Sequence, residues 1–99
     1  MKVNITEQTA SVIFSVEGYL DTTTASQFES ALAPYLAGQK NFIFDFAELE
    51  YISSAGLRAV LRAQQTLEEA GRSITVRNSN EEVMEVFEIV GFDEFLLFE

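Results

Sequence analysis

The stretch of sequence that decides the fold runs from Phe42 to Arg58 and reads FIFDFAELEYISSAGLR. Its first five residues, 42–46, form a short and nearly continuous apolar run, which is typical of a central strand covered on both faces. A loop that carries Glu48 and Glu50 follows, and a helix is predicted to begin near Ser54. The stretch therefore predicts a strand, an acidic loop and a helix in succession, as in an α/β sheet.

The other elements follow from the period of the hydrophobic pattern, which alternates along strands and repeats every three or four residues along helices. They are, in chain order, strands over 2–8 and 10–17, a helix after Thr24, strand 73–77, a helix between Ser79 and Gly91, and strand 95–98. The order β-β-α-β-α-β-α-β predicts a mostly parallel mixed sheet of about five strands, because helical crossovers join parallel strands. We expect one domain over residues 1–99, with the helices mainly on one face.

Local signals predict where the helices begin and end. Thr24 with Gln27 and Ser79 with Glu82 each fit a capping box, in which two side chains satisfy backbone N–H groups of the first turn. Pro34 is expected to kink the first helix or to end it at the preceding residue. Glycines are predicted to end the second strand and the second and third helices, at Gly18, Gly71 and Gly91.

The composition excludes most classes of small enzyme. The 99 residues include no cysteine and no histidine, so common zinc sites, thiol chemistry, imidazole bases and Ser-His-Asp triads cannot be built from this chain alone. A serine nucleophile would also lack an activating lysine in its motif, because Lys2 and Lys40 are the only lysines. We therefore expect no catalytic residue, no metal and no cofactor.

The charge balance limits the partners. Six basic and sixteen acidic residues give a net charge of −10, which repels nucleic acid and anionic lipid surfaces, so neither is an expected partner. From Asn78 onward the chain carries only acidic charges, which would either attract a basic protein or simply form a solvated face. Because the apolar runs are far shorter than the roughly 20 residues of a membrane span and no signal pattern opens the chain, we expect a cytoplasmic protein.

The serine pair at the start of the second helix is the most informative feature for function. In an open α/β sheet, functional loops lie at the carboxyl ends of the parallel strands. Gly56 is expected to leave backbone N–H groups accessible in the first turn, where the helix dipole favours an anion. A phosphate on Ser54 would fit there, and Arg58 one turn later could pair with it. A simpler interpretation is that Ser53 or Ser54 is only the N-cap.

The run from Asp45 to Leu57 resembles the signature of STAS domains, the family named after sulphate transporters and anti-sigma factor antagonists. In this family a strand and an acidic loop lead to a serine, a small residue, glycine and leucine, and the segment from Gly18 to Asp21 is similar as well. The resemblance implies a STAS-like fold over nearly the whole chain. It also implies that Ser54 is phosphorylated, as in the stand-alone anti-anti-sigma factors.

The resemblance further implies a partner switch. The unphosphorylated protein would bind an anti-sigma factor that is also a serine kinase, and the sigma factor would be free. Phosphorylation would release the protein, and a separate serine phosphatase would reset it. A dianion at an interface residue of an acidic protein disfavours docking through repulsion and desolvation, so the physics agrees with this scheme.

The partner surface implied by the resemblance surrounds the phosphorylated serine and comprises Asp21, Thr22, Ser53, Ala55, Gly56, Arg58 and Arg62. Simpler roles fit some of these residues equally well. Asp21 could form a turn or a helix cap. Arg58 and Arg62, four residues apart on one helix face, could receive the phosphate or an acidic patch, or only pair with Glu48 or Glu50.

The sequence departs from the family pattern beside the serine. Ser53 stands where many members carry aspartate, and Ala55 replaces a frequent second serine. These differences leave Ser53 as an alternative acceptor and favour an alternative function, a non-phosphorylated STAS scaffold or subunit of a transporter or sensor assembly. A receiver domain phosphorylated on aspartate is disfavoured, because no acidic pair follows the first strand. Asp45 is expected to be structural, accepting hydrogen bonds from loop N–H groups.

Overall fold

A computed structural model describes the protein from Met1 to Glu99. It contains six strands, three α-helices and one short 3₁₀ helix. In chain order these are β1 (Lys2–Glu7), β2 (Ser11–Leu20), α1 (Ala25–Leu36), β3 (Asn41–Asp45), β4 (Leu49–Ile52), α2 (Ser54–Glu69), β5 (Ile74–Arg77), α3 (Glu81–Ile89), the 3₁₀ helix (Phe92–Glu94) and β6 (Leu97–Phe98).

The sheet is mixed and mostly parallel, as the sequence predicts. Strands β1 and β2 form an antiparallel hairpin, and the main sheet has the order β1-β2-β3-β5-β6 with parallel pairing from β2 onward. Because β2, β3 and β5 run in the same direction, their carboxyl ends lie at one edge of the sheet. The start of α2 belongs to this edge.

Strand β4 is the element that the sequence does not predict, since these residues are expected to form a loop. It pairs in parallel with Gly18–Leu20 at the end of β2, so the prediction that Gly18 ends that strand is also wrong. Gly18 has a φ of +94° at the point where the register shifts. Glycine adopts this bulged geometry without steric cost, and the strand continues for two residues beyond it. Strand β4 ends at Ile52, immediately before Ser53.

A phenylalanine-rich core lies between the sheet and the helices. Phe42, Phe44 and Phe46, on β3 and just after it, are fully buried. Phe28 of α1 packs edge-on against Phe44 with ring centroids 5.3 Å apart, and Phe87 of α3 stacks on Phe46 at 6.4 Å. Residues of all three helices belong to this one core cluster. The helices therefore share one face of the sheet, as predicted.

The opposite face of β3 is not covered by a helix. Ile43 and Asp45 on that face are only half-buried, whereas their neighbours along the strand are fully buried. The expectation that the central strand is covered on both faces is therefore wrong. This side of the sheet gains its apolar character from Ile13 of β2, which lies beside Ile43 in the parallel register.

Neither predicted capping box forms. Thr24 precedes α1 but makes no cap hydrogen bond, because its hydroxyl instead accepts from the N–H of Asp21 at 2.9 Å and donates to the carbonyl of Tyr19 at 2.8 Å. At α3 the cap is Asn80, whose side-chain oxygen accepts from the N–H of Val83 at 2.8 Å. The Ser79 hydroxyl is buried without a hydrogen-bond partner.

The helix ends depend on both glycine and an arginine. Gly71 and Gly91 have φ angles of +70° and +79° just after α2 and α3, as predicted for left-handed residues that end helices. Helix α1, however, continues past Pro34 to Leu36. The Arg72 guanidinium donates to the carbonyls of Tyr35 and Leu36 at 2.9 and 2.7 Å, and so caps this last turn.

Candidate functional site

The site begins where β4 passes into α2. Ser53 is the N-cap of α2, and its hydroxyl accepts a hydrogen bond from the N–H of Gly56 at 3.4 Å. The N–H of Ser53 donates to the carbonyl of Leu20 at 2.9 Å. Ser53 is therefore fixed on both sides, to the end of β2 and to the first turn of α2.

Ser54 differs from its neighbour in exposure and in bonding. It is the first residue of α2 and is exposed, and its hydroxyl makes no hydrogen bond, whereas Ser53 is half-buried. The first N–H groups of a helix have no partner inside the helix, and the helix dipole adds partial positive charge there. The Ser54 hydroxyl thus projects from a position that favours a negative group. Ala55, next in the turn, is half-buried.

Gly56 lets α2 approach the ends of two strands. A Cβ atom at this position would lie 2.7 Å from the carbonyl oxygen of Leu20 and 2.9 Å from the side chain of Ile52. Gly56 is itself buried. Gly56 is expected from the sequence to leave backbone N–H groups accessible to solvent, but its role in the structure is different. Because it has no side chain, the first turn of α2 packs closely against the ends of β2 and β4 beneath the serines.

The loop after β2 lies beside the serines because Leu20 is bonded to Ser53. The carboxylate of Asp21 accepts hydrogen bonds from the N–H of Thr23 at 2.9 Å and from its hydroxyl at 2.8 Å. The Thr23 hydroxyl is the main cause of the lowered pKa of Asp21. Asp21 therefore has the turn role that the sequence allows, and Thr22 is exposed next to it.

The two arginines of α2 differ in their partners. Arg62 forms a bidentate pair with Glu29 of α1, with Nε to Oε2 at 2.9 Å and Nη2 to Oε1 at 2.7 Å. The hydrogen bond to Glu29 raises the pKa of Arg62 and lowers that of Glu29. The expected alternative pairing with Glu48 or Glu50 is wrong, because the Arg62 guanidinium is bound by Glu29 of the adjacent helix α1. Arg58, one turn after the serine, is exposed and makes no hydrogen bond or salt bridge.

Asp45 has the structural role that the sequence predicts. Its carboxylate accepts from the N–H of Ala47 at 3.1 Å and from the Asn78 amide at 3.2 Å, and it lies 3.5 Å from the Arg77 Nε. Burial opposes ionisation of Asp45, but these donors and the Arg77 charge outweigh it and lower its pKa. Asp45 thus holds the loop between β3 and β4.

Two exposed tyrosines beside the serines are missing from the sequence-based site. Tyr19 and Tyr51 are neighbours in the β2–β4 register, and they are 53% and 51% exposed. Their pairing depends on β4 and on the bulge at Gly18, neither of which is visible in the hydrophobic pattern. Large aromatic rings left this exposed are common in protein interfaces.

No group of three or more acidic side chains is arranged to hold a metal ion. The longest helix, α2, has 16 residues, and none of the helices has the length and hydropathy needed to cross a membrane.

Comparison with known proteins gives one consistent family. STAS domain sequences match residues 2–99. A protein of Bordetella bronchiseptica, provisionally named anti-sigma factor antagonist BtrV, is 33% identical over 93 residues, which cover 93% of this chain and 80% of that protein.

Solved structures share the fold at lower identity. A protein of Thermotoga maritima, provisionally described as an anti-sigma factor antagonist, superposes with a TM-score of 0.90 at 17% identity, over 97% of this chain and 84% of that one. The anti-sigma factor antagonist SpoIIAA in its unphosphorylated form gives 0.80 at 19%, over 99% and 87%. The phosphorylated form of SpoIIAA from Bacillus gives 0.79 at 20%, over 99% and 91%.

Proposed function

This chain belongs to the STAS domain family, and we propose that it is an anti-sigma factor antagonist that works by a partner switch. The unphosphorylated protein binds an anti-sigma factor that is also a serine kinase, and this frees the sigma factor. Phosphorylation of Ser54 releases the protein, and a serine phosphatase restores the binding form. The protein is then a kinase substrate and a binding module rather than a catalyst.

The observation that carries this proposal is the difference between the two serines. The Ser54 hydroxyl is exposed and unbonded, whereas the Ser53 hydroxyl is half-buried and caps α2. A kinase can reach Ser54 without unfolding the helix start. Phosphorylation of Ser53 would sacrifice a cap that contributes about 1 kcal/mol and would place a dianion in a half-buried position. These facts favour Ser54 as the acceptor.

A phosphate on Ser54 would be compatible with the fold of the unbound protein. A phosphoserine carries about −1.5 to −2 charges at neutral pH, and an anion at a helix N-terminus is favoured by roughly 0.3 to 1 kcal/mol. Arg58 is unpaired and lies one turn away on the same helix. Phosphorylation therefore does not need to disturb the fold in order to act.

Release follows from conditions inside the complex. A kinase must hold its nucleotide phosphates where the Ser54 hydroxyl docks, so the new phosphate lies against the remaining diphosphate of the nucleotide. Like charges repel strongly in a site from which water is excluded. A phosphoserine that re-enters this interface would also lose its hydration. Both effects act against the bound state and leave the free state unchanged.

The phosphorylation test compares wild type with Ser54→Ala and Ser53→Ala after incubation with ATP and an extract of the source bacterium. Peptide mass spectrometry is expected to find one phosphate on the peptide that contains both serines. The phosphate should be absent from Ser54→Ala and present in Ser53→Ala. Loss of the phosphate only in Ser53→Ala would move the acceptor by one residue.

The alternative function is a STAS scaffold that is never phosphorylated. It is favoured by Ser53, which occupies the position where many family members carry aspartate. The same experiment separates the two functions. If no phosphate is found while a control STAS substrate is modified in the same extract, the partner switch is rejected in favour of the scaffold.

A further inference from the structure

A groove lies between β4 and α3. Its volume is about 240 Å³. Tyr51 of β4 forms one wall and Val86 and Ile89 of α3 form the other, and the exposed Glu82 and Glu85 of α3 make an acidic rim beside them. Ile89 is 83% exposed and Tyr51 is 51% exposed. Apolar side chains that remain this accessible beside an acidic rim are not explained by the folding of this chain.

The negative charge around the β4–α3 groove favours a basic binding partner. Besides the two rim glutamates, Glu50 and Glu81 lie next to Glu82 around an adjoining depression. No basic residue follows Arg77 in the chain. An occupant with lysine or arginine is therefore attracted, whereas a second copy of this chain, with its own net charge of −10, is repelled.

The spacing along α3 indicates the shape of the occupant. Glu82, Val86 and Ile89 are separated by four and three residues and therefore lie along one side of the helix. Seven residues of helix span about 10 Å, which is close to two turns. This side of the groove is therefore long enough for about two turns of a bound amphipathic helix, with apolar residues against Val86 and Ile89 and a basic residue near Glu82.

We propose that the β4–α3 groove binds an amphipathic helix of the anti-sigma factor. Apolar residues of that helix contact Tyr51, Val86 and Ile89, and its lysine or arginine residues pair with Glu82 and Glu85. The identity of the partner rests on the proposed function, whereas the chemistry of the occupant rests on the groove itself.

The groove and the serine site are close to each other along the chain. Tyr51 lies on β4, which ends at Ile52, and Ser54 begins α2 two residues later. We therefore expect a partner that places its kinase site over Ser54 to contact Tyr51 at the groove as well. The groove adds affinity from residues that phosphorylation does not modify.

The first test uses a defined probe, a synthetic 16-residue amphipathic peptide with leucine on one face and lysine on the other. A matched peptide carries glutamate in place of lysine. In titrations of the ¹⁵N-labelled protein, the lysine peptide is expected to shift the amide signals of Tyr51, Val86 and Ile89, and the glutamate peptide to shift none. Shifts confined to other parts of the chain, or no binding of the lysine peptide, would overturn the proposal.

Charge reversal tests whether the rim or only the total charge matters. Glu82→Lys/Glu85→Lys changes the net charge from −10 to −6, and Glu69→Lys/Glu94→Lys makes the same change at exposed positions outside the groove. The rim variant should bind the lysine peptide about tenfold more weakly, because two opposite-charge contacts become repulsive. The control should change binding less than about threefold. Equal weakening of the two variants would reject the groove.

An uncharged variant tests the apolar wall. Ile89→Ser removes a side chain that is 83% exposed, so the fold should not depend on it, and thermal unfolding checks this. We expect the lysine peptide to bind at least threefold more weakly, because the anchor loses its apolar contact. Unchanged affinity would show that the peptide does not use this wall.

The phosphorylation assay separates this proposal from the proposed function. At limiting protein concentration, the rim variant should be phosphorylated several-fold more slowly than the Glu69→Lys/Glu94→Lys control. Equal rates for the two variants would reject the groove as a kinase-binding surface while Ser54 phosphorylation stands. If wild type is not phosphorylated but the lysine peptide still binds the groove, the partner switch fails and the groove remains a site for a basic helix.

Discussion

At the scale of single residues, the two serines at the start of α2 have different roles. Ser53 holds the helix in place, and Ser54 offers a free hydroxyl. Ser53→Ala should lower the free energy of unfolding by about 1 kcal/mol through loss of the cap, whereas Ser54→Ala should stay within about 0.5 kcal/mol of wild type. Urea denaturation measures both. A larger loss for Ser54→Ala would mean that its hydroxyl has a structural role.

The close packing around Gly56 leads to a second prediction at the scale of single residues. Gly56→Ala places a Cβ 2.7 Å from the Leu20 carbonyl oxygen, so α2 must move away from the strand ends. We expect a loss of about 1–3 kcal/mol in the free energy of unfolding, as for other overpacked sites. Gly38→Ala is the control, because its nearest contact would be 3.3 Å, and its effect should be below about 1 kcal/mol. Similar losses in the two variants would contradict this account.

At the scale of elements, Arg72 joins the end of α1 to the strand that follows. Its guanidinium donates to the carbonyls of Tyr35, Leu36 and Lys40 at 2.7–2.9 Å, and burial lowers its pKa. Arg72→Met should cost about 2–3 kcal/mol, because charged hydrogen bonds to helix-end carbonyls are lost. Arg72→Lys should restore less than half of this loss, because an ammonium group cannot reproduce the planar fork. Full recovery with lysine would show that charge alone suffices.

The same scale shows what the sequence can and cannot reveal. The start of α2 at Ser54 and the glycine ends of α2 and α3 are predictable, because they depend on neighbouring residues. Strand β4 is not, since it exists through pairing with the end of β2. Asn80 replaces the expected cap for a similar reason. Its amide also donates to the carbonyl of Leu49, 31 residues away, and this contact fixes it in place.

The candidate site is likewise predictable from the sequence only in part. The identity of the serine-containing turn is local and is readable from the sequence. The partner of Arg62 is Glu29, which is 33 residues distant and reaches it only because α1 and α2 pack together. The exposed pair Tyr19 and Tyr51 likewise arises from the strand register.

At the scale of the whole molecule, lowered carboxyl pKa values predict how stability depends on pH. Asp45 has a pKa below its ordinary value of 3.8, because its hydrogen bonds and Arg77 outweigh burial. As the pH falls, the Asp45 carboxylate is therefore protonated in the unfolded chain before it is protonated in the folded protein. The stability that ionised Asp45 contributes is present above about pH 4 and is lost as the pH falls through the pKa that Asp45 has in the folded protein. Asp45→Asn should be less stable at pH 7 and should lose less stability between pH 5 and pH 3 than wild type. Parallel curves of unfolding free energy against pH would contradict this.

The measurement that tests the central claim most directly is the affinity of the anti-sigma kinase for two forms of the intact protein. One form carries genetically encoded phosphoserine at Ser54, and the other is unmodified. Phosphoserine at Ser30, an exposed residue of α1, supplies the same charge as a control. Surface plasmon resonance with the isolated kinase should give at least about tenfold weaker binding for phospho-Ser54, with the Ser30 form close to the unmodified protein. Equal affinity of the phospho-Ser54 and unmodified forms would contradict the partner switch.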